Sequence, residues 1–333
     1  MAEIRYRQAL QQALREEMIR DDKVVILGEE VGVFGGSYKV TEGLYEEFGP
    51  KRVRATPIAE EGFVGAGIGA AMGGLRPVVE VMTINFILVA MDQIINNAAK
   101  IRYMFGGAMG VPMVIRTPSG GGGGLTAQHS QSLEVWFAHM PGLKVVAPAT
   151  PHDAKGLLKA SIRDDDPVIF IESLNGYNTR GEVPADDYTV PIGKADVKRQ
   201  GTDLTIITHS MMTLRCLEVA DRLEKQAGIH AEVIDLRTLR PLDFATVAES
   251  VKKTNHALCV EEGWPSYGIT AELAARISDE CFDWLDAPVK RLGGVEVPLP
   301  YSKPLETAAL PGIDRIYQAA ITARRGGLRV EVR

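Results

Sequence analysis

The stretch Val24-Val25-Ile26-Leu27-Gly28-Glu29-Glu30 decides the fold. Four apolar, mostly β-branched residues make a short strand buried on both faces, and the glycine and acids that follow mark its carboxyl end. Open α/β sheets gather their ligands at such ends. Upstream, Ala9, Leu10, Ala13, Leu14 and Met18 fall at helical spacing between Tyr6 and Met18. Downstream, the pattern predicts a helix from Glu61 to Gly74, a strand from Val78 to Val81 and a long helix from about Phe86 to Met104. Met113-Val114-Ile115 and Lys144-Val145-Val146 read as strands, Asp153 to Arg163 as a helix, and Val168-Ile169-Phe170-Ile171 as another strand. Strands alternating with helices imply a mostly parallel sheet covered on both faces.

The rhythm breaks between about Asn175 and Gly201, where Pro184, Pro191 and paired charges predict a linker crossing the surface. A second α/β series follows. Its strands are expected at 204–208, 231–235, 257–261 and 289–292, and its helices at 211–225, 243–252 and 269–281. The expected organisation is a first domain over residues 1–175, a linker over 176–201, a second domain over 202–325 and a mobile tail over 326–333.

The length of 333 residues suits two packed α/β domains. With 45% hydrophobic and 24% charged residues, neither a disordered chain nor a disulfide-stapled miniature is tenable. A net charge of −6 is the wrong sign for neutralising phosphates, so nucleic acid is not an expected partner. No stretch reaches the roughly 18 apolar residues of a membrane span, and Met1-Ala-Glu-Ile-Arg-Tyr-Arg-Gln lacks the apolar core of a signal peptide, so a cytoplasmic protein without membrane contact is expected. Cys216, Cys259 and Cys281 are widely spaced and form no C-x-x-C pair, which disfavours structural disulfides and thiolate zinc.

Four segments are candidates for chemistry. Gly65-Ala-Gly-Ile-Gly-Ala70, with Glu80 downstream, formally fits a dinucleotide fingerprint, but no hydrophobic strand runs directly into it, and close packing of a small-residue helix face explains it better. Gly120 to Gly124 run into Leu125-Thr-Ala-Gln-His129-Ser130. Such glycines let the main chain approach a ligand or simply form a flexible loop, and the G-K-[ST] ending of a P-loop is missing. Of Glu60 and Glu61, one reads as a solvated helix-start charge and the other as a buried carboxylate, whose raised pKa would let it share a proton with a nitrogen heterocycle. Asp164-Asp165-Asp166-Pro167 reads as a solvated acidic turn or as an oxygen site for an alkali or alkaline-earth cation.

Taken together, Thr56-Pro-Ile-Ala-Glu60-Glu-Gly-Phe63, Leu75-Arg-Pro77, Met82-Thr-Ile-Asn-Phe86, Asp92-Gln-Ile94 and Ala127-Gln-His129-Ser-Gln131 resemble the β subunits of the E1 component of 2-oxoacid dehydrogenase complexes, the pyruvate-specific branch most of all. Gly28-Glu-Glu-Val31, Pro141-Gly-Leu-Lys-Val-Val146 and Asp235-Leu-Arg-Thr-Leu-Arg-Pro-Leu-Asp243 extend the likeness over about residues 4 to 322. The resemblance implies a pyrimidine-binding thiamine diphosphate fold followed by a transketolase C-terminal-like domain. It further implies an α2β2 heterotetramer with an E1 α subunit, a second β chain as partner, and an E2 acyltransferase whose lipoyl domain receives the acetyl group made from pyruvate. Branched-chain 2-oxoacid and acetoin dehydrogenase β subunits are its rivals within the family. The resemblance also implies that the α subunit holds the diphosphate through Mg2+, and the lack of a Gly-Asp-Gly motif for that ion here agrees with this division.

On this resemblance Glu60 shares a proton with the pyrimidine nitrogen, Phe86 packs on the pyrimidine, Glu29 lines the same pocket and His129 serves the reacting substrate and incoming lipoyl group. Some relatives ligate potassium at positions matching Met113, Ser161, Ile162, Asp164 and Asp166, the last replacing a common asparagine. The five glycines then read as the approach to His129, ordered only with cofactor or partner present.

Overall fold

The structure, a computed structural model, describes residues 2–325, so the tail expected to be mobile lies outside the described residues. The described residues form two compact units: 2–119, 136–192 and 239–241 make the first, and 120–135, 193–238 and 242–325 the second.

The first unit is built on a seven-stranded sheet. Its order is Thr238–Arg240, Lys144–Val146, Val168–Ser173, Val114–Ser119, Arg76–Glu80, Val24–Gly28, Val53–Ala55. From Lys144–Val146 to Val53–Ala55 every pairing is parallel, and the central strands Val24–Gly28, Val114–Ser119 and Val168–Ser173 are almost wholly buried, as cover by helices on both faces requires. Val24–Gly28 lies between Val53–Ala55 on one side and Arg76–Glu80 on the other. The chain therefore winds outward from Val24–Gly28 and then crosses back over it, which makes the carboxyl end of that strand a topological switch point. Helices Tyr6–Arg20 and Pro151–Arg163 pack on each other; Leu10, Leu14, Leu157 and Leu158 are fully buried there, each contributing roughly 2 kcal/mol. Thr150 caps the second of these by accepting the Asp153 amide, with Pro151 in its first turn.

The second unit carries a five-stranded sheet ordered Lys290–Leu292, Ala257–Val260, Leu204–Thr208, Ala231–Asp235, Asp196–Arg199. Only the last strand runs antiparallel. Helices Met212–Ala227 and Ile313–Arg324 close its core through Cys216, Val219, Leu223, Ile316 and Ala320. Gly228 ends the former in the left-handed conformation.

Two expectations change. The segment expected as one helix from Phe86 to Met104 is a 3-10 turn at Phe86–Ala90, a π turn at Gln93–Ala98 and a short α-helix at Ile101–Met104. Asn96 and Asn97, weak helix formers, bond back to the Asp92 and Gln93 side chains at 2.6 and 3.0 Å inside the widened turn. The expected linker contains two edge strands: Arg180–Val183 pairs antiparallel with Ala2–Arg5, and Asp196–Arg199 joins the second sheet. Both are charged and only partly buried, so backbone pairing holds them without a hydrophobic period. Among the described residues no helix is long and apolar enough to cross a membrane, and all three cysteines are buried and free.

Candidate active site

At the switch point of the first unit two carboxylates meet. Glu29 follows directly on Val24–Gly28; Glu60 opens helix Glu60–Met72, reached from the neighbouring strand Val53–Ala55. Gly28 is required where it stands, because its φ is +153° and a Cβ would run into the Glu80 carbonyl of the adjacent strand. Glu60 is 6% exposed and Glu61 is solvated, so of the adjacent acids it is the first that is buried, in the first turn where the helix dipole favours negative charge. Glu29 is 4% exposed. Burial, then the charge of Glu60 and a hydrogen bond shared with it, then Glu30 and Glu80, push the Glu29 carboxyl up to about 7. Its Oε1 is buried and has no hydrogen-bond partner. A buried carboxyl pair with one proton to share and one unsatisfied oxygen suits a ring nitrogen or amine of a heterocycle.

Beside this pair lies an ion cluster that sequence reading did not single out. Arg116, 1% exposed, donates from Nη1 to Glu80 Oε2 at 2.5 Å and, in a fork, to Glu172 Oε1 at 2.6 Å and Oε2 at 2.9 Å. The Tyr177 hydroxyl donates to Glu172 Oε2 at 2.7 Å, and Tyr38 stacks on the Tyr177 ring. Glu80 is thus committed to a guanidinium and is not a ribose-binding acid. The glycines at 65–70 lie inside helix Glu60–Met72, where a Cβ on Gly67 would press on Val79 of the sheet. Helix packing accounts for them, and the nicotinamide reading falls. One signal for the cluster was legible: Glu80, Arg116 and Glu172 are three charges that directly follow the apolar pairs or runs of their strands, Val78-Val79, Val114-Ile115 and Val168 to Ile171.

Phe86 is half-buried and begins the 3-10 turn that follows strand Arg76–Glu80, on the same carboxyl edge of the sheet as Glu29 and Glu60. His129 stands apart from them in the division of the chain: with the glycine run it belongs to the second unit. Its amide closes a turn onto the Thr126 carbonyl at 3.3 Å. The glycine run, expected to order only with a cofactor or partner, is tied within that unit by carboxylates of Glu262 and Glu306. Sequence reading gave Glu306 no role.

Met113, Ser161, Ile162, Asp164 and Asp166 gather at the opposite, amino edge of the first sheet, where helix Pro151–Arg163 ends and the strands begin. Their oxygens are taken by protein donors. The Met113 carbonyl accepts the Val168 amide at 3.0 Å, and the Ser161 carbonyl the Asp164 amide at 3.3 Å. Arg76 Nη1 donates to the Ile162 and Asp164 carbonyls at 3.1 and 2.9 Å. Lys144 Nζ sits 2.7 Å from Asp164 Oδ2 and 3.2 Å from Asp166 Oδ2, and Arg102 Nε lies 2.5 Å from Asp166 Oδ1. Lys144, Arg76 and Arg102 thus balance the charge of the acidic turn. No group of three or more acidic, histidine or cysteine side chains among the described residues is arranged to hold a metal.

Residues 2–179 match the transketolase pyrimidine-binding domain and residues 193–316 the transketolase C-terminal domain. The chain is 51% identical over 320 residues to the pyruvate dehydrogenase E1 component subunit beta of Rhizobium meliloti (strain 1021), covering 96% of this chain and 69% of that one. It is 49% identical over 319 residues to the mitochondrial pyruvate dehydrogenase E1 component subunit beta of Bos taurus, covering 94% and 89%. Among solved structures, a split-gene transketolase described as an inactive beta4 tetramer superposes with a TM-score of 0.79 at 24% identity, covering 97% of this chain and 99% of the other, a likeness of fold. Two α/β units with a buried carboxyl pair at the first sheet's switch point, matched along nearly the whole length by these relatives, place the chain in the family of pyruvate dehydrogenase E1 component β subunits, of transketolase-like fold.

Proposed function

We propose that this chain provides the pyrimidine-side half of a thiamine diphosphate site and that, joined to an α subunit, it decarboxylates pyruvate and passes the acetyl group to a lipoyl arm of an E2 acyltransferase. The Glu29–Glu60 pair carries this reading: Glu29 Oε1 is buried without a partner, and its carboxyl titrates near neutrality. When bound, thiamine diphosphate supplies the carbanion that adds to the keto carbon and takes up the electrons left by departing carbon dioxide.

The protein's part is to move and hold protons. Glu60, fixed at the helix start, shares a proton with the pyrimidine ring nitrogen, and Glu29 tunes that sharing by holding or releasing a proton of its own. Phe86 packs on the pyrimidine face. His129 donates to the substrate side and meets the incoming acyl acceptor. The diphosphate and its Mg2+ belong to the α chain, and a second β chain completes an α2β2 assembly.

The test is reconstitution with an α chain and thiamine diphosphate, followed by steady-state turnover on pyruvate, 3-methyl-2-oxobutanoate and acetoin. Pyruvate is the expected substrate, and Glu60→Gln is expected to lower its kcat by at least about a hundredfold while leaving assembly intact. Wild-type turnover in that variant refutes the role of Glu60, and a clear preference for either other compound refutes the substrate.

A further inference from the structure

The glycine run is shaped to be gripped by its backbone. Gly120, Gly122 and Gly124 have φ of +102°, +95° and +69°, so the run alternates positive-φ residues with ordinary ones. Such alternation makes a concave nest for an anion. The anions are supplied by the same unit of the chain. Gly121 N donates to Glu262 Oε1 at 2.6 Å. Gly122 N donates to Glu306 Oε1 at 2.8 Å, and Gly124 N lies 3.2 and 3.1 Å from Glu306 Oε1 and Oε2. Glu306 is 1% exposed, so its carboxylate is satisfied by amides in place of water.

Side chains are excluded around this grip. A Cβ on Gly120 would stand 2.5 Å from Glu262 Oε1, and one on Gly121 would collide with Leu299. Gly120 is therefore needed for the approach of Glu262 and Gly121 for that of Leu299, while Gly122 and Gly124 are favoured by their positive φ.

We propose that Glu262 and Glu306 are positioning residues that clamp residues 120–124 by their amides and so fix the loop that presents His129. The inference rests on the reading of His129 as a residue of the active site, though the clamp itself does not. Burial pushes the Glu262 carboxyl up to about 7; the Gly121 amide, Arg215 and His209 favour its charged form, and Glu134 opposes it. A charged acceptor makes the stronger hydrogen bond, so the grip on Gly121 tightens as pH rises through about 7.

Hydrogen exchange on the assembled α/β enzyme with thiamine diphosphate tests the clamp directly. In Glu306→Ala, amides 120–124 are expected to exchange at least about tenfold faster than in wild type, with Glu306→Gln recovering part of the protection through its remaining carbonyl oxygen. In Glu262→Gln, which keeps the shape and an acceptor, the protection of Gly121 is expected to become independent of pH between about pH 6 and about pH 8, where that of wild type rises. Unchanged exchange at 120–124 in Glu306→Ala, or a wild-type pH dependence in Glu262→Gln, overturns the clamp. A loosened loop in Glu306→Ala with full activity in His129→Ala overturns the role of His129 and leaves the clamp standing. A loosened loop with unchanged acetyl transfer and an active-site His129 overturns the positioning role.

Discussion

Glu29→Gln isolates the energetic cost of the carboxyl pair. Glu29 has an ordinary pKa of 4.5 and is pushed up to about 7 in the folded chain by burial first, then by Glu60. The difference of about 2.5 units corresponds to about 3 kcal/mol at about 1.4 kcal/mol per unit. Between these two values the folded state binds a proton that the unfolded state does not, so the stabilising effect of protonation is complete below about pH 4.5 and is lost as pH rises to about 7. Glutamine never ionises and escapes that loss. Thermal melts of wild type and Glu29→Gln should therefore coincide near pH 4.5, diverge through the window and differ above about pH 7.5 by up to about 3 kcal/mol in favour of the variant, on the order of 5 °C for a chain of this size. Adding Glu60→Gln to wild type removes the neighbouring charge and should shift the midpoint of the divergence to lower pH. Parallel melting curves across the whole range would refute the assignment of Glu29 as the group that titrates near neutrality.

Arg116→Leu should destabilise the chain by about 3 to 5 kcal/mol, because it leaves the Glu80 and Glu172 carboxylates buried without a counter-charge, and adding Glu172→Gln should recover part of that loss in the same denaturation assay. Cys216 and Cys259 are buried, and burial raises both thiols, so an alkylating reagent should label neither until the chain is unfolded; labelling in the native state, read by mass spectrometry, would contradict the packing. With Lys144, Arg76 and Arg102 on the acidic turn, melting in potassium chloride and in choline chloride of equal ionic strength should agree, whereas Arg102→Ala, which frees an Asp166 oxygen, should melt higher in potassium chloride.

The parallel strands buried on both faces were legible because they read as apolar runs, as in Val24–Gly28 and Val168–Ser173, whereas Val53–Ala55, with two of its three residues exposed, was not. The edge strands Arg180–Val183 and Asp196–Arg199 were not, because they pair through backbone and carry charges. Of the site, the resemblance named Glu29, Glu60, Phe86 and His129, and the residues alone showed that one of Glu60 and Glu61 could be buried. Which one depends on helix phase, and that is a tertiary fact. The Arg116 cluster and the hold of Glu306 on the glycines join residues up to 184 positions apart, a distance that no local pattern spans.

The carboxylates of Glu262 and Glu306 hold a loop that lies, in chain order, between two strands of the first sheet, since residues 120–135 group with the second unit although 114–119 and 144–146 belong to the first. Domain exchange between relatives is therefore not a matter of one cut near residue 190. A chimera joining the first 190 residues of one relative to the remainder of another would present a foreign loop to a native clamp, and it should work only when the segment 120–135 is transplanted with the half that carries the two acids.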